Sequence, residues 1–198
     1  YSRVLFKQSG FFNEITALKM FFNSFVMATG IATLSVITSL MAAYGLVYFK
    51  VKYAAFIFWL IFITLLVPLE LRIMPSYIVM SKLNLVNTFA GLILPISASA
   101  IATFFFRQFY KSIPDELLEA AKLDGTNSFR FFIDFLIPLS KTMIAAVFIF
   151  MFVFGYNQYL WPLIMTTSEQ YWTVVMGLKT MYGSCLLYTS PSPRDGIG

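Results

Sequence analysis

The chain has 198 residues, 59% of them hydrophobic and only 12% charged, with a formal net charge of +5 and no histidine. A soluble domain carries about 25% charged residues, so this composition excludes a water-facing surface over most of the chain and makes lipid the expected solvent. Scattered basic residues do not suit nucleic-acid recognition, and without histidine, a phosphate-binding glycine loop or a cluster of metal-ligating side chains, no catalytic, cofactor-binding or metal-ligating residue is expected.

The sequence opens on Tyr1 and shows no leader, so it is expected to be a piece of a longer protein. A first apolar run lies between Lys19 and Lys50, longer than the ~20 residues a membrane span needs. Ala28, Ala32, Ser35, Ser39 and Ala43 recur along it mostly four apart, which fits either a close helix–helix contact or chance scatter. A second run starts near Tyr53 and reaches Pro68-Leu69-Glu70-Leu71-Arg72 before Pro75. A third, between Lys82 and Arg107, is interrupted by Pro95 and softened by Ser97, Ala98 and Ser99. A polar stretch from Lys111 to Lys141 follows, holding Asp115, Glu116, Glu119, Asp124 and Asp134 of the nine acidic residues. The fourth apolar run begins after Lys141 and contains Gly155-Tyr156-Asn157-Gln158 before Trp161-Pro162, with Tyr171 and Trp172 placed as boundary aromatics. The expected fold is an all-α membrane protein.

The polar stretch predicts two short helices that dock a soluble partner, or else an amphipathic loop lying on lipid. Ser112 with Asp115 fits a capping box, and Pro114 suits a first helical turn. Leu117, Leu118 and Ala121 share one side, with Glu116, Glu119 and Lys122 at polar positions. Gly125 is placed to end the first helix, Asn127 or Ser128 to cap the second, and Pro138 to mark its exit.

The spacing Glu119-Ala120-Ala121, three residues, Gly125, nine residues, then Phe135-Leu136-Ile137-Pro138 resembles the coupling loop of binding-protein-dependent ABC importer permeases. Phe135 stands where that family usually has Ile, and Ile137 where it usually has Leu. Phe106-Arg107-Gln108-Phe109, Ile113-Pro114-Asp115-Glu116-Leu117 and Asn157-Gln158-Tyr159-Leu160-Trp161-Pro162-Leu163 carry the likeness further, as do the stretches Phe62–Arg72 and Pro138–Thr142. They resemble members that import sn-glycerol-3-phosphate, a sugar or oligosaccharide cargo being the alternative. An integral-membrane enzyme or assembly factor is the competing class, against which stands the lack of histidine and of metal-ligand clusters.

The resemblance implies a type I importer transmembrane domain over residues 1–184, with the coupling loop at 111–140. The family has six membrane helices, so this chain is expected to carry the second through fifth. It implies a multi-pass protein of the bacterial inner membrane, paired with a second permease subunit above an ATPase dimer and fed by an extracytoplasmic substrate-binding protein. ATP hydrolysis would belong to the separate ATPase. Glu119, Ala120, Ala121, Asp124, Gly125 and Pro138 would meet that ATPase. Charge alone scarcely orients the chain: Lys and Arg divide seven to six between its two sides, Arg194 omitted.

For the substrate path the expected residues are Glu70, Arg72, Asn157 and Gln158, because ionisable and amide groups in apolar helices are costly against lipid. Glu70 and Arg72 fall near the outer end of their run, where snorkelling or mutual pairing competes with that role. The tail from Cys185 to Asp195 matches the translation of a transposase sequencing adapter, so residues 185–198 are expected to be an artefact and disordered. Cys185, the one cysteine, then carries no information about redox chemistry.

Overall fold

The computed structural model describes residues 17–49, 52–123 and 126–189. Its centre is α1, Ala17–Tyr48, whose 32 residues extend about 48 Å at 1.5 Å per residue. Met20, Ser24, Met27, Ile31, Ser35, Ser39 and Ala43 mark a buried stripe that recurs every three or four residues. The helix packs most extensively against three later helices, and all five of the small residues picked out in the sequence are buried. Gly155 allows one of those approaches: a Cβ there would sit 3.3 Å from the Ala28 Cα and 3.1 Å from the Ile31 Cδ1. Small residues let helix backbones come this close where lipid offers no hydrophobic driving force. The stripe is an interface, and chance scatter is excluded.

The second apolar run is bent. Helix α2, Ala54–Ile63, tightens into a 3₁₀ turn at Thr64–Leu66 and gives way to α3, Leu69–Lys82, with 105° between the two arms. Val67 is extended (φ −80°, ψ 115°), as expected of a residue whose α conformation is blocked by a following proline, here Pro68. Pro75, expected to lie beyond the run, sits inside α3.

The third run breaks as well, although not at Pro95. Helix α4, Phe89–Ser97, contains that proline; the chain breaks at Ala98 and resumes as α5, Ala100–Lys111, at 45°. Pro95 removes only one amide. The break falls where Ser99 can cap a new helix, its Oγ accepting from the Ala102 amide at 3.3 Å.

Helix α6, Asp115–Leu123, is followed by α7, Ser128–Leu139, whose backbone widens into a π-helical turn over Phe131–Leu136. Helix α8, Lys141–Tyr156, leaves α7 at 74°. Then come α9, Leu160–Met165, a 3₁₀ turn at Glu169–Tyr171 and α10, Val174–Thr189. No strand occurs among the described residues, as expected of an all-α chain. Among the described residues, by length and composition α1 alone can cross a membrane, or up to four spans exist if each bent pair counts as one. One such pair joins α7 to α8, so apolar character reaches back into the stretch expected to be a polar loop.

Local expectations fare unevenly. Ser112 closes α5, donating to the Phe109 carbonyl at 2.7 Å; it does not open α6, because the preceding helix has carbonyls to satisfy there. Asn127 occupies the start of α7 without a side-chain capping bond. The expected tail begins inside α10: the backbone helix continues through the apolar Cys185–Tyr188 to Thr189, and 190–198 lie outside the described residues.

At the bundle end where α3 meets α4, Asn87 adopts φ 59°, a left-handed conformation that Asn tolerates better than most residues. Its Oδ1 accepts from the Thr167 and Ser168 amides at 2.8 and 3.2 Å, and its Nδ2 donates to Thr167 Oγ1 at 2.8 Å. This clasp fastens the α3–α4 loop to the segment after α9.

Candidate functional sites

Two constructions stand out, and both hang on α1. The first is an aromatic joint between α1, α5 and α7. Tyr44 and Tyr48, one turn apart on α1, carry rings 4.9 Å from Phe132 and 5.6 Å from Phe131 respectively. Tyr48 also lies 5.9 Å from Tyr110 at the end of α5. Tyr44 Oη donates to the Ser128 carbonyl at 2.8 Å, which ties α1 to the first residue of α7. Phe131, Leu136 and Tyr110 are buried, and Ser140 Oγ donates to the Leu136 carbonyl at the corner into α8. Edge-to-face and tilted ring pairs at these separations are attractive and directional.

Helix α6 stands outside this joint. Leu118 and Ile113 pack on the core, whereas Glu116, Leu117 and Glu119 are exposed. Leu123 and Phe129, 89% and 69% exposed, flank the turn between the two helices. The exposed acids with an apolar fringe form a surface able to receive another protein. Of the expected coupling residues, Glu119 and Pro138 are exposed. The side chains of Ala120 and Ala121, and the whole of Asp124 and Gly125, lie outside the described residues.

The second construction is a cleft midway along the bent pair α4–α5. Its two lobes, of about 570 and 330 Å³, share Thr64, Val67, Arg72, Ala98, Ser99 and Ala100. Carbonyls left open by the break are met by α1: Ser35 Oγ donates to the Ser97 carbonyl at 2.7 Å and Ser39 Oγ to the Ser99 carbonyl at 3.3 Å. Irregular backbone inside a membrane protein is tolerated where it lines a cavity or is satisfied by neighbours, and here both conditions hold.

The four expected path residues separate. Arg72, itself exposed, lines both lobes together with Ser99, beyond the 105° bend of its run. Glu70 is exposed and forms no ion pair with Arg72, so mutual pairing does not account for either residue. Asn157, at the end of α8, folds back so that its Nδ2 donates to the Val153 carbonyl at 2.9 Å. Gln158 beside it is buried. Neither amide lines these two lobes.

Sequence reasoning missed the hydroxyls of Thr38, Thr64 and Thr103, which line the larger lobe, and all five rings of the joint. The available signal was spacing: Tyr44 with Tyr48 and Phe106 with Tyr110 each repeat at four residues at the end of a long run. Arg107, half-buried on α5, lies 3.7 Å above the Phe58 ring and holds α2 to α5 by a cation–π contact.

Comparison with known proteins adds an independent line. The family model described as "Binding-protein-dependent transport system inner membrane component" matches residues 35–189. The chain is 48% identical over 165 residues to the sn-glycerol-3-phosphate transport system permease protein UgpE of Yersinia enterocolitica, covering 83% of this chain and 59% of that protein. It is 49% identical over 163 residues to the protein of the same name in Brucella abortus, covering 82% and 58% respectively. It thus spans a little under three-fifths of the length of these relatives. A solved chain of a bacterial ABC transporter involved in the import of the acidic polysaccharide alginate shares the fold, with a TM-score of 0.69 at 21% identity. That likeness covers 85% of this chain and 64% of the solved one.

Proposed function

The chain belongs to the family of binding-protein-dependent transport system inner membrane components, and we propose that it forms part of the pathway of an ATP-driven importer for sn-glycerol-3-phosphate. The cargo follows from the name carried by relatives at 48% and 49% identity. The transport mechanism rests chiefly on one observation: α7, which follows the exposed α6, packs on Tyr44 and Tyr48 of α1, and Tyr48 packs in turn on Tyr110 of α5, so the joint joins helices that also border the cleft.

In this reading α6 and α7 face the cytoplasm and receive an ATPase dimer. Glu119 offers that partner a charged contact, with Ala120, Ala121, Asp124, Gly125 and Pro138 completing the surface. Closure of the ATPases displaces α7; the aromatic joint passes the displacement to α1 and α5, and the cleft between them opens to alternate sides. A second permease subunit supplies the other wall, and an extracytoplasmic binding protein delivers the cargo. ATP is hydrolysed by the separate ATPase subunits. Asn157 and Gln158 remain candidates for a part of the path away from the two lobes.

The test is reconstitution of the full-length protein in lipid vesicles with its partner permease, the ATPase pair and loaded binding protein. ATP-dependent accumulation of sn-glycerol-3-phosphate is expected. Accumulation of a neutral oligosaccharide in its place would replace the cargo. Conversion of a lipid without ATP would return the protein to the enzyme class.

A further inference from the structure

We infer that the mid-bundle cleft is a two-part recognition site, with Arg72 and Ser99 receiving the anionic group of the cargo and Thr38, Thr64 and Thr103 accepting hydrogen bonds from its hydroxyls. The inference rests on the proposed cargo and deepens it, assigning each part of the molecule to its own residues.

The anionic half starts from Arg72. Arg72 is exposed on a cleft whose walls include Val67, Ala98 and Ala100, and a charge inside a membrane protein is stabilised chiefly by pairing or water. Glu70 does not pair with it, and two residues along a helix point in different directions. Arg72 therefore has its charge and fork of donors available to a planar or tetrahedral oxyanion. Ser99 lies on the same two lobes. Its Oγ accepts from the Ala102 amide, and its carbonyl accepts from Ser39 and Thr103, so the Ser99 hydroxyl proton is uncommitted. It is a second donor for the same anion. The amino end of α5 begins at the next residue, and its dipole has the matching sign.

The threonines have the opposite character. Thr38 Oγ1 donates to the Leu34 carbonyl at 2.8 Å, and Thr64 Oγ1 to the Ile61 carbonyl at 2.6 Å. Thr103 Oγ1 donates to the Ser99 carbonyl at 3.0 Å or to Ser39 Oγ at 3.2 Å. With each proton spent on the protein, these oxygens offer only lone pairs to the lobe. An oxyanion cannot use a pure acceptor; a polyol can. The cleft thus selects a molecule that is acceptor-rich at one end and donor-bearing at the other, which separates a polyol phosphate from inorganic phosphate and from an uncharged sugar.

The site is testable in the complete, reconstituted transporter carrying Ala100→Cys as a reporter, with modification by a membrane-permeant thiol reagent followed on that peptide by mass. Val67→Cys, on the same two lobes, replaces it if Ala100→Cys loses ATP-dependent uptake. Millimolar sn-glycerol-3-phosphate is expected to slow modification about tenfold, inorganic phosphate less and glycerol hardly at all. Arg72→Gln and Ser99→Ala should each remove protection by both anions. Thr38→Val with Thr64→Val should remove only the advantage of sn-glycerol-3-phosphate over phosphate. Undiminished protection in Arg72→Gln overturns the inference. So does an unprotected reporter in a transporter that still accumulates sn-glycerol-3-phosphate, an outcome that leaves the cargo assignment standing. Uptake of a neutral sugar alone overturns the cargo assignment, and this site with it.

Discussion

The joint and the cleft use the same helix with opposite materials. At residues 44 and 48, α1 presents two rings that pack on three more, with centroids 4.9 to 5.9 Å apart. At residues 35 to 39, little more than two turns away, it presents hydroxyls that satisfy its own turn and the broken backbone of a neighbour. Close-packed rings resist compression and carry a displacement as one body. A break stitched by single hydroxyl–carbonyl bonds can exchange partners at low cost, since such bonds in membrane helices average about 0.6 kcal/mol. The proposed transport cycle needs both, one region that does not yield and one that does. If the contrast is real, damage to the joint should abolish coupling while damage to the stitches should only loosen the bundle.

The largest effect is expected for Tyr110→Ala. Tyr110 is 1% exposed, packs on Tyr48 of α1 and belongs to the same buried cluster as Phe131 of α7. Its truncation should cost about 3 kcal/mol, the lower part of the range for buried aromatics. ATPase activity of the reconstituted complex, measured with and without loaded binding protein, should lose its stimulation while the protein still inserts. Full stimulation in Tyr110→Ala would show that the displacement travels by another route.

Next comes Glu119→Lys. Exposed on α6, Glu119 contributes little to the fold of this chain, but its substitution reverses the charge at one position of the proposed docking surface. Like-charge contacts at an interface mainly impair partner choice and association. Copurification of the ATPase subunits should fall about tenfold, with the thermal stability of the permease unchanged. A loss of stability equal to the loss of association would give Glu119 a structural role.

How much of this was legible beforehand depended on sequence distance. The α1 stripe was visible because its period is local. The two short helices α6 and α7 were visible because the polar stretch is punctuated at Pro114, Asn127 and Pro138. Breaks were half-visible: prolines marked their neighbourhoods, but Pro95 stayed helical while the chain parted three residues on, where Ser99 could cap. That Arg72 shares a cleft with Ser99 was hidden, since a run counted in residues is assumed straight and this one turns by 105°. The joint was hidden for a different reason. Its members at 44, 48, 110, 131 and 132 meet only after the chain has folded back, and the four-residue spacing of Tyr44 and Tyr48 marks a shared face without saying which rings it meets.

The stitches give the third prediction. Ser35 is fully buried, and its hydroxyl is the Ser97 carbonyl's partner from α1. Ser35→Ala keeps the small volume the α1 interface requires and removes only that bond, so about 1 kcal/mol of stability should be lost. A thermal melt of the assembled complex measures it, and stimulated ATPase activity should hold. Loss of stimulation comparable to that of Tyr110→Ala would erase the distinction between the two regions.

The smallest change probes the joint from within. Tyr44→Phe keeps the ring against Tyr48 and Phe132 and deletes only the bond from the hydroxyl to the Ser128 carbonyl. That carbonyl lies at an exposed contact, where water can take over much of the lost partner. The cost should therefore stay near the low end for a hydrogen bond, about 0.5 kcal/mol. If ring packing transmits the displacement, stimulated ATPase activity in Tyr44→Phe should fall less than about twofold, since 1.4 kcal/mol is needed for tenfold. A fall as large as that of Tyr110→Ala would mean that the bond to α7, and not the stacked rings around it, is what couples the docking helices to α1.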